Sequence, residues 1–509
     1  MCGILSVINN DFKELALSDS LSLMNHRGPD NKGQIFIDGH YFGHQRLSIL
    51  DLNERSNQPM EIGNFIITYN GEVYNYKELI KDHGLKTHTS SDTEVVVLMY
   101  QKYGESCVQY FNGMFAFVIY NKITKDVFVA RDRLGIKPLY YKVLNNQIIY
   151  SSEISSILSL SDSPIDEFGI RQYRKFRMTI NNHTVYKDIN FFPPGYYSLN
   201  DKLTQYWDLD INDKDNPDDE EIEYLIQDSI NIRKRADVEL GSYLSGGLDS
   251  TILSFLLAPH DTWTVGFADL NEFDWSLLAN KSLKSNHHQI LVSYEEFLST
   301  LEFMINKRNE PLSVPNEVLI YLMTKRVKEK NTVVLSGEGA DELFWGYDRI
   351  FSFFHNQDCL SIEDFDDYYC YGSQKDNEVI DYAFENMKGD KPIDKIAYFF
   401  QKNHLHGLLR RLDNSTMLCS VEARVPFVDH RLIELVAGTT YEWRMGNRIK
   451  EPLKRIYGKL VPNEIIERKK VGFPVPLENI FLNYYTDKKN INPFDKWLMF
   501  NLESLNRSS

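Results

Sequence analysis

Two short stretches carry residue types suited to phosphate chemistry. Residues 245–250 read SGGLDS between a strand-like run at 238–244 and a helix-like run at 251–257, and residues 336–342, SGEGADE, repeat the pattern after TVVL. A strand-to-helix turn leaves backbone N–H groups unpaired, and the helix dipole favours an anion there. Gly246 and Gly247 let the backbone approach a ligand closely, beside the hydroxyls of Ser245 and Ser250. Asp249 suits the Mg2+ that accompanies pyrophosphate, a hard cation that prefers oxygen ligands. A glycine turn with a helix-capping serine explains one such stretch, whereas two together point to a nucleotide site. The third candidate is Cys2, directly after Met1. With Met1 removed, the thiol and a free α-amine share one residue, and an amine titrating near ~8 can serve as the base for its own thiol. Taken alone, Cys2 reads as a small buried apolar residue.

These groups need rigid elements behind them. In the first half, alternating runs at 64–69, 115–120, 126–130 and 147–150 predict antiparallel strands, with helices near 18–25 and 93–102. From residue 222 onward, strand-like segments (238–244, 262–267, 288–292, 332–335) alternate with helix-like ones (249–257, 317–330). That order predicts a doubly wound parallel sheet, with ligands at the carboxyl ends of its strands, where both glycine turns lie. Between the halves, residues 208–221 are dense in Asp and Glu and read as a solvated linker and helix entry. The expected division is a first domain at 1–207, the acidic linker at 208–221, and a second domain at 222–509.

A chain of 509 residues is too long for one core, and its 42% apolar and 25% charged residues are those of an ordinary globular protein. The formal charge of −16 disfavours a nucleic-acid or anionic-membrane partner. Cys2, Cys107, Cys359, Cys370 and Cys419 are odd in number and lack metal-ligand spacing, which fits a reducing cytoplasm. Neither a signal peptide nor a membrane-spanning run is expected.

The stretches MCGI, HRGPD (26–30), HQRLSILD (44–51), YNGEVYNY (69–76), SSDTE (90–94), NGMFAFVIYN (112–121) and ARDRLGIKPLYY (130–141) together resemble the class II glutamine amidotransferase domain in the version found in asparagine synthetases. The resemblance implies an α/β/β/α sandwich in which Cys2 is the nucleophile, and Asn70 with the Gly71 N–H forms the oxyanion hole. Arg46 and Asp92 would hold the carboxylate and ammonium of glutamine, and Glu72 would help fix it. Without the resemblance, Asn70-Gly71 reads as a hairpin turn and Arg46 or Asp92 as a surface charge.

The second half resembles the synthetase domain of the adenine-nucleotide α-hydrolase fold, through SGGLDS, SGEGADE, SVEARVPFVD (420–429) and KEPLK (450–454). It implies Ser245, Gly246, Gly247, Asp249 and Ser250 as ATP pyrophosphate or metal contacts, Asp341 as the second Mg2+ carboxylate, and Val265, Ser336 and Gly337 around the nucleoside. Lys450 would stabilise charge on the α-phosphate, and Glu338 would position reactants or take a proton from ammonia. RKKVGFPVP (468–476) looks like the closing motif of shorter bacterial members and is expected near this site. Trp345, where the family commonly has glycine, and Trp275, where an acidic residue is usual, bear on the acceptor pocket.

The implied enzyme hydrolyses glutamine through a Cys2 thioester and spends ATP to amidate a carboxylate, by default L-aspartate, giving asparagine. Ammonia would cross a mostly apolar internal passage, because ammonium is not nucleophilic. The alternatives are a different carboxylate, such as a sugar acid or a peptide-antibiotic precursor, and a non-catalytic binding protein. The expected partners are small molecules, and a homodimer is left open.

Overall fold

The structure, a computed structural model, describes residues 2–212, 214–446, 448–469, 473–485 and 491–508. The first half holds two antiparallel sheets. One runs, in spatial order, Asn190–Phe191, Tyr140–Leu144, Gln147–Ser151, Cys2–Ile8, His40–Arg46 and Asn31–Ile37. The other runs Lys202–Gln205, Tyr196–Leu199, Val127–Arg131, Gly113–Asn121, Phe65–Val73 and Met60–Ile62. Ile4, Ile8 and Phe42 of the first sheet pack on Ile66, Val118 and Val129 of the second, and Ser6 Oγ lies 3.0 Å from Thr68 Oγ1 across the gap. Alternation sends Leu5 and Val7 to the opposite face, onto Leu17 and Leu21 of the helix Glu14–Ser22. Ile67 and Tyr69 likewise meet Val95, Val96 and Met99 of the helix Asp92–Tyr103. This is the α/β/β/α sandwich. Because both faces of Cys2–Ile8 are covered, all seven residues are buried, so the strand shows no polar-apolar alternation.

The second half is built on a five-stranded parallel sheet in the order Asn286–Val292, Asp261–Phe267, Leu240–Tyr243, Val333–Leu335, Glu422–Arg424. Chain order moves outward from Leu240–Tyr243 in one direction and then, from Val333–Leu335, in the other. The strand order therefore reverses between these two neighbours, which places a binding crevice at their carboxyl ends. Both glycine turns leave from there. The edge strand Glu422–Arg424, inside SVEARVPFVD, is not legible by periodicity, because three residues carry too little pattern. Beside the sheet, a helical layer packs Phe351, Phe354, Phe365, Phe399 and Phe400 together. There the helix Pro392–Phe399 passes through one wide turn, Phe400–His404, into Leu405–Met417.

The acidic stretch is less solvated at its start than its composition predicts. Leu209 is buried, Asp208 is ion-paired with Lys388 and, at 3.0 Å, with Lys402, and the helix Asp219–Arg233 begins within the stretch. Buried ion pairs also join the halves: Arg27 to Asp413 at 2.8 Å, Lys137 to Asp413 at 3.0 Å and Arg424 to Glu72 at 3.4 Å. No described helix is long and apolar enough to cross a membrane.

Candidate active sites

Cys2 opens a strand whose register sets it opposite Arg46. Its N–H donates to Asn70 Oδ1 at 3.1 Å, and its carbonyl accepts from Arg27 Nε at 3.1 Å. Met1 lies outside the described residues. Burial pushes the Cys2 thiol up, while the Leu47 N–H and the Arg46 guanidinium act against it. Asn70 and Gly71 are not a hairpin turn; they sit within the strand Phe65–Val73, opposite Ala116 and Phe115. Asn70 Nδ2 is buried and has no acceptor among the described residues, so one amide donor is left over beside the cysteine. A Cβ at Gly71 would come within 2.2 Å of the Met114 carbonyl oxygen, so the close strand approach requires glycine. Strand alternation aims the Gly71 N–H to the same edge as those of Tyr69 and Val73, which donate to Gln58 Oε1 at 2.7 Å and Asp92 Oδ2 at 2.8 Å.

Cys2, Arg46, Gly71, Glu72 and Asp92 line one cavity of about 30 Å³, room for a water or two. Arg46 spans it to the following loop, donating to the carbonyls of Asp51 (2.5 Å) and Asn53 (2.9 Å) and to Asn57 Oδ1 (2.7 Å). Asp92 takes the Tyr69 hydroxyl at 2.6 Å; burial nevertheless pushes its carboxyl up to about 6. Burial, with Asp92 and Glu422 nearby, also holds Glu72 well above the ordinary carboxylate range, with Arg424 pulling the other way.

A second cavity of about 880 Å³, within the usual range of ligand sites, opens at the crevice of the parallel sheet. Ser245, Gly247, Asp249, Ser250, Val265, Ser336, Gly337, Glu338 and Asp341 line it. The two glycine turns touch: a Cβ at Gly337 would stand 3.0 Å from the Ser250 nitrogen. Gly246 does not line the cavity. Its φ of 75° and a would-be Cβ contact of 2.4 Å with the Trp275 backbone show a turn packed against the start of the helix Phe273–Leu283.

Lys450 lies 2.5 Å from both Asp249 Oδ2 and Asp341 Oδ1. Burial alone would lower its ammonium, but the two carboxylates outweigh that and hold it above the ordinary lysine value. Two carboxylates converging on one positive centre are oxygen donors that fit a hard cation. Among the described residues, no group of three or more metal-ligating side chains joins them. A Mg2+ held there would take its remaining ligands from phosphate or water, as this ion commonly does.

Several residues of these sites are invisible to sequence reasoning. Arg411, buried, pairs with Glu338 and donates to Asn316 Oδ1 at 3.0 Å, so Glu338 is a held carboxylate. Two residues on, Asp413 of the same helix binds Arg27, which reaches the Cys2 carbonyl. No motif signals these partners, since they arrive from distant segments. Trp345 does not shape the cavity: it is buried in the helical layer, stacked 4.7 Å from Phe351 beneath Arg444. Its neighbour Tyr347 does line the cavity, with Tyr368, Tyr369, Tyr371 and Phe400. Of the closing motif, residues 470–472 lie outside the described residues. Arg468 pairs with Glu272 and stacks on Trp275, and Lys469 lines the cavity.

Residues 1–207 match the family described as "Glutamine amidotransferase domain", and residues 221–489 the family described as "Asparagine synthase". The chain is similar to "Asparagine synthetase [glutamine-hydrolyzing] 1" of Bacillus subtilis, with 31% identity over 95% of this chain and 88% of the relative. It is 33% identical, over 68% of its length and 76% of the other, to "Putative asparagine synthetase [glutamine-hydrolyzing] 2" of Methanocaldococcus jannaschii. "Amidase chry2" of Gibberella zeae is 28% identical over 89% of this chain and 84% of that protein. The matched families and the length of these likenesses place the chain in the glutamine-hydrolysing asparagine synthetase family of ATP-dependent amidotransferase ligases.

Proposed function

We propose that the protein hydrolyses glutamine at Cys2 and uses the ammonia, with MgATP, to convert L-aspartate into asparagine. The observation that carries this reading is one chain that brings Arg46, Gly71, Glu72 and Asp92 together around Cys2 and, separately, opens a ligand-sized cavity around the paired glycine turns. In the first, the Cys2 sulfur attacks the side-chain amide carbon of glutamine. Asn70 Nδ2 and the Gly71 N–H face the oxygen as it gains charge, ammonia leaves, and water then cleaves the thioester to glutamate. Arg46 pairs with the substrate carboxylate, Asp92 pairs with its ammonium, and Glu72 helps fix the substrate.

In the second cavity, the acceptor carboxylate attacks the α-phosphorus of ATP and expels pyrophosphate. Ammonia then attacks the acyl carbon and expels AMP. Ser245, Gly247 and Ser250 cradle the leaving pyrophosphate at the start of the helix Leu248–Leu257. Asp249 and Asp341 would hold Mg2+, which neutralises charge on the phosphates. Lys450, buried beside both carboxylates, would stabilise charge growing on the α-phosphate. Glu338, held by Arg411, orients the attacking nitrogen, and Val265 meets the nucleoside.

A second reading keeps the chemistry and changes the acceptor. It is favoured by the aromatic wall of Tyr347, Tyr368, Tyr369, Tyr371 and Phe400 and by the relative named as an amidase. A screen of carboxylates for ATP-dependent pyrophosphate release decides between them. Aspartate is expected to release pyrophosphate, AMP and asparagine in equal amounts, and release only with another acid sinks the aspartate assignment.

The Asp92 carboxyl adds a pH signature. An ammonium binds the ionised acid, and Asp92 ionises near 6 with Glu72, Glu422, Arg424 and Tyr69 around it. Below that value protonation competes with glutamine, so the KM for glutamine is expected to rise about tenfold per pH unit, while kcat moves less. A KM for glutamine that stays flat from pH 7.5 to ~5 contradicts this role for Asp92.

A further inference from the structure

The strand Glu422–Arg424 belongs to the synthetase half, yet it reaches the glutamine cavity. Residues two apart share one face of a strand, so Glu422 and Arg424 project together. Arg424, wholly buried, lies 2.5 Å from Glu422 Oε1 through Nε and donates through Nη1 to the carbonyls of Arg233 and Arg235, each at 2.7 Å. Its Nη2 stands 3.4 Å from Glu72 Oε1. Glu72 otherwise has the like charges of Asp92 and Glu422 around it, and a buried carboxylate without a nearby cation takes up a proton. At the other end of the same residue, the Arg424 carbonyl accepts the Ser336 N–H at 2.9 Å. Ser336 begins the second glycine turn and lines the nucleotide cavity.

We infer that Arg424 is a positioning residue shared by both sites: its guanidinium lies against Glu72 and fixes it in place in the glutamine cavity, and its backbone ties that arrangement to the nucleotide turn at Ser336, so that filling the nucleotide cavity changes the affinity for glutamine. This rests on the glutaminase reading above. Lysine cannot replace the guanidinium, whose planar fork reaches Glu422, two carbonyls and Glu72 at once.

The test uses the full-length enzyme, with ammonia-driven pyrophosphate release as the check that the fold and synthetase site are intact. In the parent, saturating MgATP is expected to change the KM for glutamine at least about twofold. In Arg424→Lys, the KM is expected to rise about tenfold, with kcat for glutamate release within about threefold, and the response to MgATP disappears. Because Arg424 acts through Glu72, adding Arg424→Lys to Glu72→Gln should raise the KM less than about twofold further. A parent KM indifferent to MgATP, a parental KM in Arg424→Lys, or the same tenfold rise on the Glu72→Gln background would each overturn the inference. If Arg424→Lys does not fold, Glu72→Gln still decides, since a KM that keeps the full MgATP response there has the same consequence. Cys2→Ala separates the two claims, because glutamate release that survives in it means that the glutaminase reading has failed, whatever Arg424 does.

Discussion

Cys2→Ala is expected to lower glutamine-dependent amide formation by at least about a thousandfold, since the nucleophile cannot be replaced by water in the same geometry. Synthesis from added ammonia is expected to stay within about twofold of the parent. The change removes one sulfur from a buried strand, at a cost of about 1 kcal/mol, and leaves the backbone groups that neighbouring residues use. Those groups are the ones that connect the site to the rest of the chain: the Cys2 N–H binds Asn70 and its carbonyl binds Arg27, which in turn holds Asp413 in the synthetase half. Side chain and connection are thus separable at this position. Measuring glutamate, AMP and pyrophosphate with each nitrogen source checks the claim. Loss of both activities in a folded variant would show that the half-sites do not work independently.

Lys450→Met is expected to reduce pyrophosphate release by about a hundredfold to a thousandfold with either nitrogen source, a magnitude typical of removing one preorganised charge from a developing oxyanion. The glutaminase half-reaction, measured without ATP, should stay within about threefold. Lys450 adopts a left-handed backbone conformation, φ 58° and ψ 40°, at the start of the helix Glu451–Tyr457. Such strain in a non-glycine residue persists where the surroundings over-determine it. Removing the ammonium leaves Asp249 and Asp341 facing each other, so the variant should be less stable than the parent at neutral pH. The sign follows from the raised ammonium: its pairing stabilises the fold throughout the range below the unfolded lysine value and is lost only as pH climbs through the folded one. A Lys450→Met enzyme with parental pyrophosphate release removes the lysine from the adenylation step.

Local chemistry was legible in the chain wherever a short run carries it whole. SGGLDS and SGEGADE contain their own glycines, serines and carboxylates, and the strand-helix alternation around them is a one-dimensional signal, so the parallel sheet and the place of both turns follow from residue order. Cys2, Arg46, Asn70, Gly71, Glu72 and Asp92 were likewise readable as a set through their motifs. Gly246 was readable as a turn glycine but not as one that packs on Trp275, because that contact joins separate elements.

What only the tertiary structure decided is which charges meet. Arg411 on Glu338, Arg27 and Lys137 on Asp413, Lys450 between Asp249 and Asp341, and Arg424 between Glu72 and Ser336 join segments far apart in the chain. A charged residue alone reads as solvated surface; it becomes a partner only when burial removes water and leaves an opposite charge within reach. Trp345 shows the same limit for an apolar side chain, since its place in the motif suggested the acceptor pocket while its ring packs on Phe351 behind it. Residue order therefore determined the chemistry that the motifs of each half suggest, and three-dimensional packing determined which charged groups of the two halves hold one another.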